Sequence, residues 1–211
     1  MKGRLHAPTK DETELLPPFE GLTLERIVVP QTAAQFAAAA EAILGAGVAG
    51  FDTEAKPTFA AGEASGGPHV VQFALPDRAF IFQPQRAESR PALALLLESP
   101  QLLKVGFGLQ SDRSQIHARL GLQLQAVLDL DTVFRQLGYP KAMGVRAAIG
   151  ATLGQRFHKS KKTTTSNWAL PRLNERQLLY AANDAYAALC VLQALERSGR
   201  YAPPAGLLPM P

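Results

Sequence analysis

From residue 21 to residue 200, apolar runs too short for helices alternate with longer stretches of helical period, and this alternation restricts the chain to an α/β domain. Strands are expected at Val48–Thr53, Val70–Leu75, Ala79–Gln83, Leu102–Val105 and around Val127–Leu130. Only Pro76-Asp77-Arg78 separates the second from the third, so these two should form an antiparallel hairpin. Helices are expected near Ala33–Leu44, Ala87–Glu98, Gln110–Leu120, Asp131–Leu137, Val145–Leu153 and Glu175–Ser198. Thr32 and Gln35 form a capping box at the start of the first, with Gly45 as its stop; Asn174 and Gly199 bracket the last. A mixed sheet flanked by helices is the architecture that follows.

At 211 residues and 46% apolar, the chain can bury one generous core, not two. A single domain over residues 21–200 is expected, with residues 1–20, which end in Pro17-Pro18, and the proline-rich residues 201–211 as arms on or beyond it. Lys and Arg outnumber Asp and Glu by 22 to 18, which favours an anionic partner. The single cysteine, Cys190, excludes an internal disulfide and a cysteine-based zinc site. His6, His69 and His117 show no ligand spacing. Residues 1–14 resemble neither a secretory nor a transit peptide, no apolar run reads as membrane-spanning, and a cytoplasmic protein is expected.

Three segments carry acids where a plain core would not. In Gly50-Phe51-Asp52-Thr53-Glu54, two acids interrupt an apolar strand at a spacing of two, so they share one face with α-carbons about 6.5 Å apart, an invitation to a cation. In Lys104-Val105-Gly106-Phe107-Gly108 through Asp112, a strand turns into a helix with Asp112 in its first turn, where the helix dipole favours an acid whatever its use. In Tyr180-Ala181-Ala182-Asn183-Asp184, tyrosine and aspartate stack one turn apart on an otherwise apolar helix. A carboxylate in such surroundings needs a partner or takes up a proton.

The three motifs, in this order and with Ser166-Asn167-Trp168 ahead of the last, resemble the DEDD superfamily of 3′-5′ exonucleases. The branch resembled is the one with tyrosine in its third motif, which includes the Werner-type exonuclease domain and the ribonuclease D catalytic domain. The likeness covers residues 21–200. It implies a ribonuclease-H-like fold and release of nucleoside 5′-monophosphates from the 3′ end of single-stranded or 3′-ended DNA or RNA. It also implies two divalent cations, Mg²⁺ or Mn²⁺, on Asp52, Glu54, Asp112 and Asp184, with Tyr180 orienting the attacking water.

Acids facing a polyanion need a basic rim, and Arg156 through Lys162 supplies one. Lys159, Lys161, Lys162 and Arg113 are therefore expected to meet phosphate, and Thr53 to touch the substrate. Trp168 reads as a core anchor more readily than as a base-stacking ring. Where Werner-type domains place tryptophan after the first motif, this chain has Ala55-Lys56-Pro57, and the Gly/Ala-rich segment Lys56–His69 is expected to contact the terminal nucleotide instead. The competing reading is a catalytically silent nucleic-acid-binding or scaffold protein on the same fold.

Overall fold

The computed structural model describes residues 5–58 and 66–204. The middle of the Lys56–His69 segment and most of the 201–211 tail therefore lie outside the described residues. The helices are α1 (Lys10–Glu14), α2 (Ala33–Ala46), α3 (Arg90–Glu98), α4 (Gln110–Leu120), α5 (Leu130–Gln136), α6 (Gly144–Leu153), α7 (Lys161–Thr164) and α8 (Glu175–Arg197). The strands are β1 (Ile27–Val28), β2 (Val48–Glu54), β3 (Val70–Ala74), β4 (Ala79–Phe82), β5 (Leu103–Gly106) and β6 (Val127–Asp129), joined in one sheet of order β1-β4-β3-β2-β5-β6. The expected hairpin is β3-β4; β2 pairs antiparallel with β3 and parallel with β5. The mixed sheet is thus as expected, with β2 and β3 in its middle, flanked by helices on both faces.

On one face, α2 and α3 cover Phe51, Val71, Phe73 and Phe82. On the other, the first half of α8 packs with Trp168 on Val70, Ala74, Ala79 and Ile81, and its second half joins α5 and α6 over Leu103, Val105 and Leu128. By length and composition α8 could cross a membrane, contrary to the reading that no such segment exists, but 67% of its apolar stretch is buried inside this fold. It is the central helix of the domain.

Several boundaries shift for local reasons. Helix α2 runs past Gly45 to Ala46, because Gly47 takes the left-handed conformation and its N–H closes the last turn on the Leu44 carbonyl. The segment expected as one helix from Ala87 splits into a 3₁₀ turn and α3, with Pro91 in the first turn of α3. Residues 9–21 lie on the fold: the capping box of Thr9 and Glu12 opens α1, α1 packs on α6, and the Phe19 N–H donates to the Arg156 carbonyl. Lys104, alternating out of the Leu103 and Val105 face, is fully buried, donates to the Leu96 and Ser99 carbonyls at the end of α3, and is pulled down to about 7 by that burial.

Candidate active site

Strand β2 sets the first two acids on the face toward α8. Gly50 marks that face: a Cβ there would collide with the Ala185 carbonyl, so the α8 backbone rests directly on the strand. Asp52 and Glu54 follow at spacings of two, and α8 brings Asp184 down opposite them. Ligand oxygens of Asp52, Glu54 and Asp184 all lie within 4.8 Å of one another. Asp112 arrives from the opposite face in the first turn of α4; it stands outside that trio and is tied to it through Thr53, whose hydroxyl donates to Asp112 Oδ1. Thr53, expected to touch substrate, thus spends its hydroxyl on an acid.

Side chains not singled out from sequence position these elements. Asp129 accepts from the Gly108 and Leu109 N–H groups (3.1 and 3.0 Å), clamping the turn that aims Asp112. Asp131 accepts from the Met143 and Gly144 N–H groups (2.9 and 3.0 Å) and lines a cavity of about 240 Å³ with Asp52, Lys159 and Asp184. A larger space, about 610 Å³, is lined by Arg156, Phe157, His158, Ser160 and Tyr180 among others. The Thr164 hydroxyl lies 2.8 Å from the Tyr180 hydroxyl and donates to the Ser160 carbonyl (3.0 Å). Trp168 is fully buried, donates to the Thr164 carbonyl and packs on Tyr180, so it is a core anchor. The acidic DLD run of β6 and α5 was the sequence signal for Asp129 and Asp131; its meaning depends on which turn packs beside it.

The basic rim divides. Lys161 and Lys162 open the short helix α7 and are exposed, as is Arg113. Lys159 instead folds inward: its ammonium lies 3.0 Å from Asp184 Oδ2 and 5.6 Å from the centre of the Tyr180 ring.

Burial dominates the charge states. It pushes Asp52 well above the ordinary carboxylate range, helped by the charges of Asp112 and Asp184. Glu54 is pushed up to about 10 by burial and then by Asp52 and Asp184. Asp112 and Asp184 are raised by burial too, moderated by the Thr53 hydroxyl in one case and by Lys159 in the other. Burial pulls Lys159 down, but Asp184, Tyr180 and Asp52 outweigh it and hold the ammonium charged. Tyr180 is raised by burial and by Asp184, so it remains a phenol and a donor. Both Asp184 oxygens are buried, and the contact with Lys159 is an ion pair at 3.0 Å. Crowded, unsolvated carboxylates of this kind fit hard divalent cations with oxygen preference.

A family profile described as 3′-5′ exonuclease matches residues 27–200, most of the chain. The chain belongs to the 3′-5′ exonuclease family. Within it, the mouse bifunctional 3′-5′ exonuclease/ATP-dependent helicase WRN is 30% identical over 155 residues, which cover 72% of this chain and 11% of that protein. Among solved structures, the Aedes aegypti Nibbler EXO domain superposes with a TM-score of 0.68 at 22% identity, covering 83% of this chain and 89% of that one. Trypanosoma brucei RNase D in complex with RNA U12 superposes with a TM-score of 0.70 at 21% identity, covering 80% of this chain and 62% of that one. These superpositions agree with the ribonuclease-H-like fold expected from the three motifs, and family membership agrees with the DEDD resemblance.

Proposed function

We propose that the chain is a 3′-5′ exonuclease of the tyrosine-bearing DEDD branch, cytoplasmic, releasing nucleoside 5′-monophosphates from the 3′ end of DNA or RNA. The observation that carries this is the convergence of Asp52, Glu54 and Asp184 within 4.8 Å, with Tyr180 one turn from Asp184 on the same helix. Asp52, Glu54, Asp112 and Asp184 would hold two divalent cations, Mg²⁺ or Mn²⁺. When bound, such a pair lowers the cost of deprotonating an attacking water and offsets charge on the departing 3′ oxygen. Tyr180, a neutral phenol one turn from Asp184, would orient that water by hydrogen bonding. Asp129 and Thr53 keep Asp112 in place, and Asp131 anchors the start of α6 at the wall of the cavity. Lys161, Lys162 and Arg113, exposed at the rim, meet backbone phosphates.

Lys159 favours one second reading. An ammonium beside Asp184 could hold the place of a metal, leaving a catalytically silent protein that binds nucleic acid through the same rim. Incubating the chain and its Asp52→Ala variant with 5′-labelled DNA and RNA oligomers, with Mg²⁺, Mn²⁺ or EDTA, separates the two. Shortening from the 3′ end that is lost with EDTA and with the variant supports the exonuclease and ranks its substrates. Intact strands that remain bound support the silent protein.

A further inference from the structure

Strand β3 reads Val70-Val71-Gln72-Phe73-Ala74, and every residue in it is buried. Val71 and Phe73 join the core under α2 and α3, whereas Val70 and Ala74 join the cluster under α8. Alternation puts Gln72 on the α8 face with them. Its side chain is fully buried, and neither its Oε1 nor its Nε2 has a hydrogen-bond partner. An unpaired buried amide costs stability, and an aliphatic residue would fill the same space without that cost. The buried side chains of the apolar cluster on this face include Val70, Ala74, Ile81, Ala181 and Ala185, none of which can pair with an amide, and the Trp168 indole N–H donates to the Thr164 carbonyl.

The register supplies a reason for the amide. Gln72 stands directly opposite Asp52 in the antiparallel β2-β3 pair, so both side chains leave the same face of the sheet with Cβ atoms about 5 Å apart. That is within reach of a carboxamide. Asp52 Oδ1 accepts from its own neighbour, the Thr53 N–H (2.9 Å).

We propose that Gln72 is a positioning residue for Asp52: its side-chain N–H, unpartnered in this structure, turns to donate to Asp52 Oδ2 when a cation binds and holds that carboxylate toward the cation. The inference rests on the reading of Asp52 as a metal ligand. A donor on the second oxygen, with the Thr53 N–H on the first, fixes the plane of the carboxylate and so the direction of its remaining lone pairs. Removing an outer-shell partner of a ligand typically weakens metal binding by about 10- to 100-fold.

The test is Mn²⁺ binding by calorimetry on the full chain, with thermal melts in parallel, for the wild type, Gln72→Met and Ile81→Ala. Gln72→Met keeps length and removes the donor; it should melt no lower than the wild type yet bind Mn²⁺ at least about 10-fold more weakly. Ile81→Ala disturbs the same layer without reaching Asp52; it should melt lower and bind Mn²⁺ unchanged. In the wild type, Mg²⁺ should shift the NMR signal of the Gln72 side-chain amide and leave that of Gln83 in place, a readout that does not depend on any variant folding. Wild-type affinity in a folded Gln72→Met, or a Gln72 amide signal indifferent to Mg²⁺, overturns the positioning role alone. A wild-type chain that binds neither ion overturns the metal reading and this inference with it.

Discussion

Asp52 and Glu54 are held, without a cation, in a place that suits their charged forms badly. Glu54 has an ordinary value of 4.5 and is pushed up to about 10, so its contribution to stability is fully present below pH 4.5 and is lost as pH rises toward 10. In metal-free buffer, Glu54→Gln should therefore melt above the wild type, by about 2–4 °C per kcal/mol relieved, with a larger gain at pH 8 than at pH 5. Equal gains at both pH values in melting curves would sink the argument. Tyr180 makes a different kind of contribution. Tyr180→Phe keeps the ring on Trp168 and loses only the hydroxyl, so turnover should fall by about 100-fold or more while Mn²⁺ affinity stays put. Unchanged turnover in a labelled-oligomer assay would return Tyr180 to the role of a packed aromatic.

At the scale of elements, the site is a junction of β2 and α8, and its tolerance is set by how closely their backbones approach. Gly50→Ala drives a methyl into the Ala185 carbonyl and must lift α8 from the strand. It should cost about 1–3 kcal/mol in denaturant unfolding, and turnover should fall by about 100-fold because Asp184 moves with the helix. A variant of wild-type stability and activity would mean the junction is slack. The rim is a second element-level matter, since α7 presents Lys161 and Lys162 outward while Lys159, close by in sequence, turns to Asp184. Replacing Lys161 and Lys162 with alanine should reduce the salt slope of single-strand binding by about 0.7 for each phosphate no longer neutralised. An unaltered slope would remove α7 from the substrate path.

Across the whole molecule, the sheet, α8 and the α4 turn converge on one cluster of like charges, so filling that cluster should stabilise the fold. At about 100 times its Kd, Mn²⁺ should contribute about 2.7 kcal/mol, which for a chain of this size is a rise of about 5–10 °C in Tm, reversed by EDTA. No thermal shift at any concentration would favour the protein in which Lys159 keeps the place of the metal. Much of this architecture was legible beforehand. Alternation and helical period marked β2 to β6 and the long helices, because each buries a regular face. What escaped was too short or too polar to show a period: the two residues of β1, the Lys-Asp-Glu-Thr-Glu turn of α1 and the Lys-Lys-Thr-Thr turn of α7.

The same division runs through the site. Spacing by itself determined that Asp52 and Glu54 share a face and that Tyr180 and Asp184 stack one turn apart, because local backbone geometry has fixed periods of two and of about 3.6. Only the tertiary structure decided that these pairs meet across about 130 residues of chain, that Asp129 clamps the turn before Asp112, and that Lys159 leaves the rim for Asp184. It alone set Gln72 opposite Asp52. Those choices depend on strand register and on which helix covers which face. Such long-range packing leaves no periodic trace in the order of the residues.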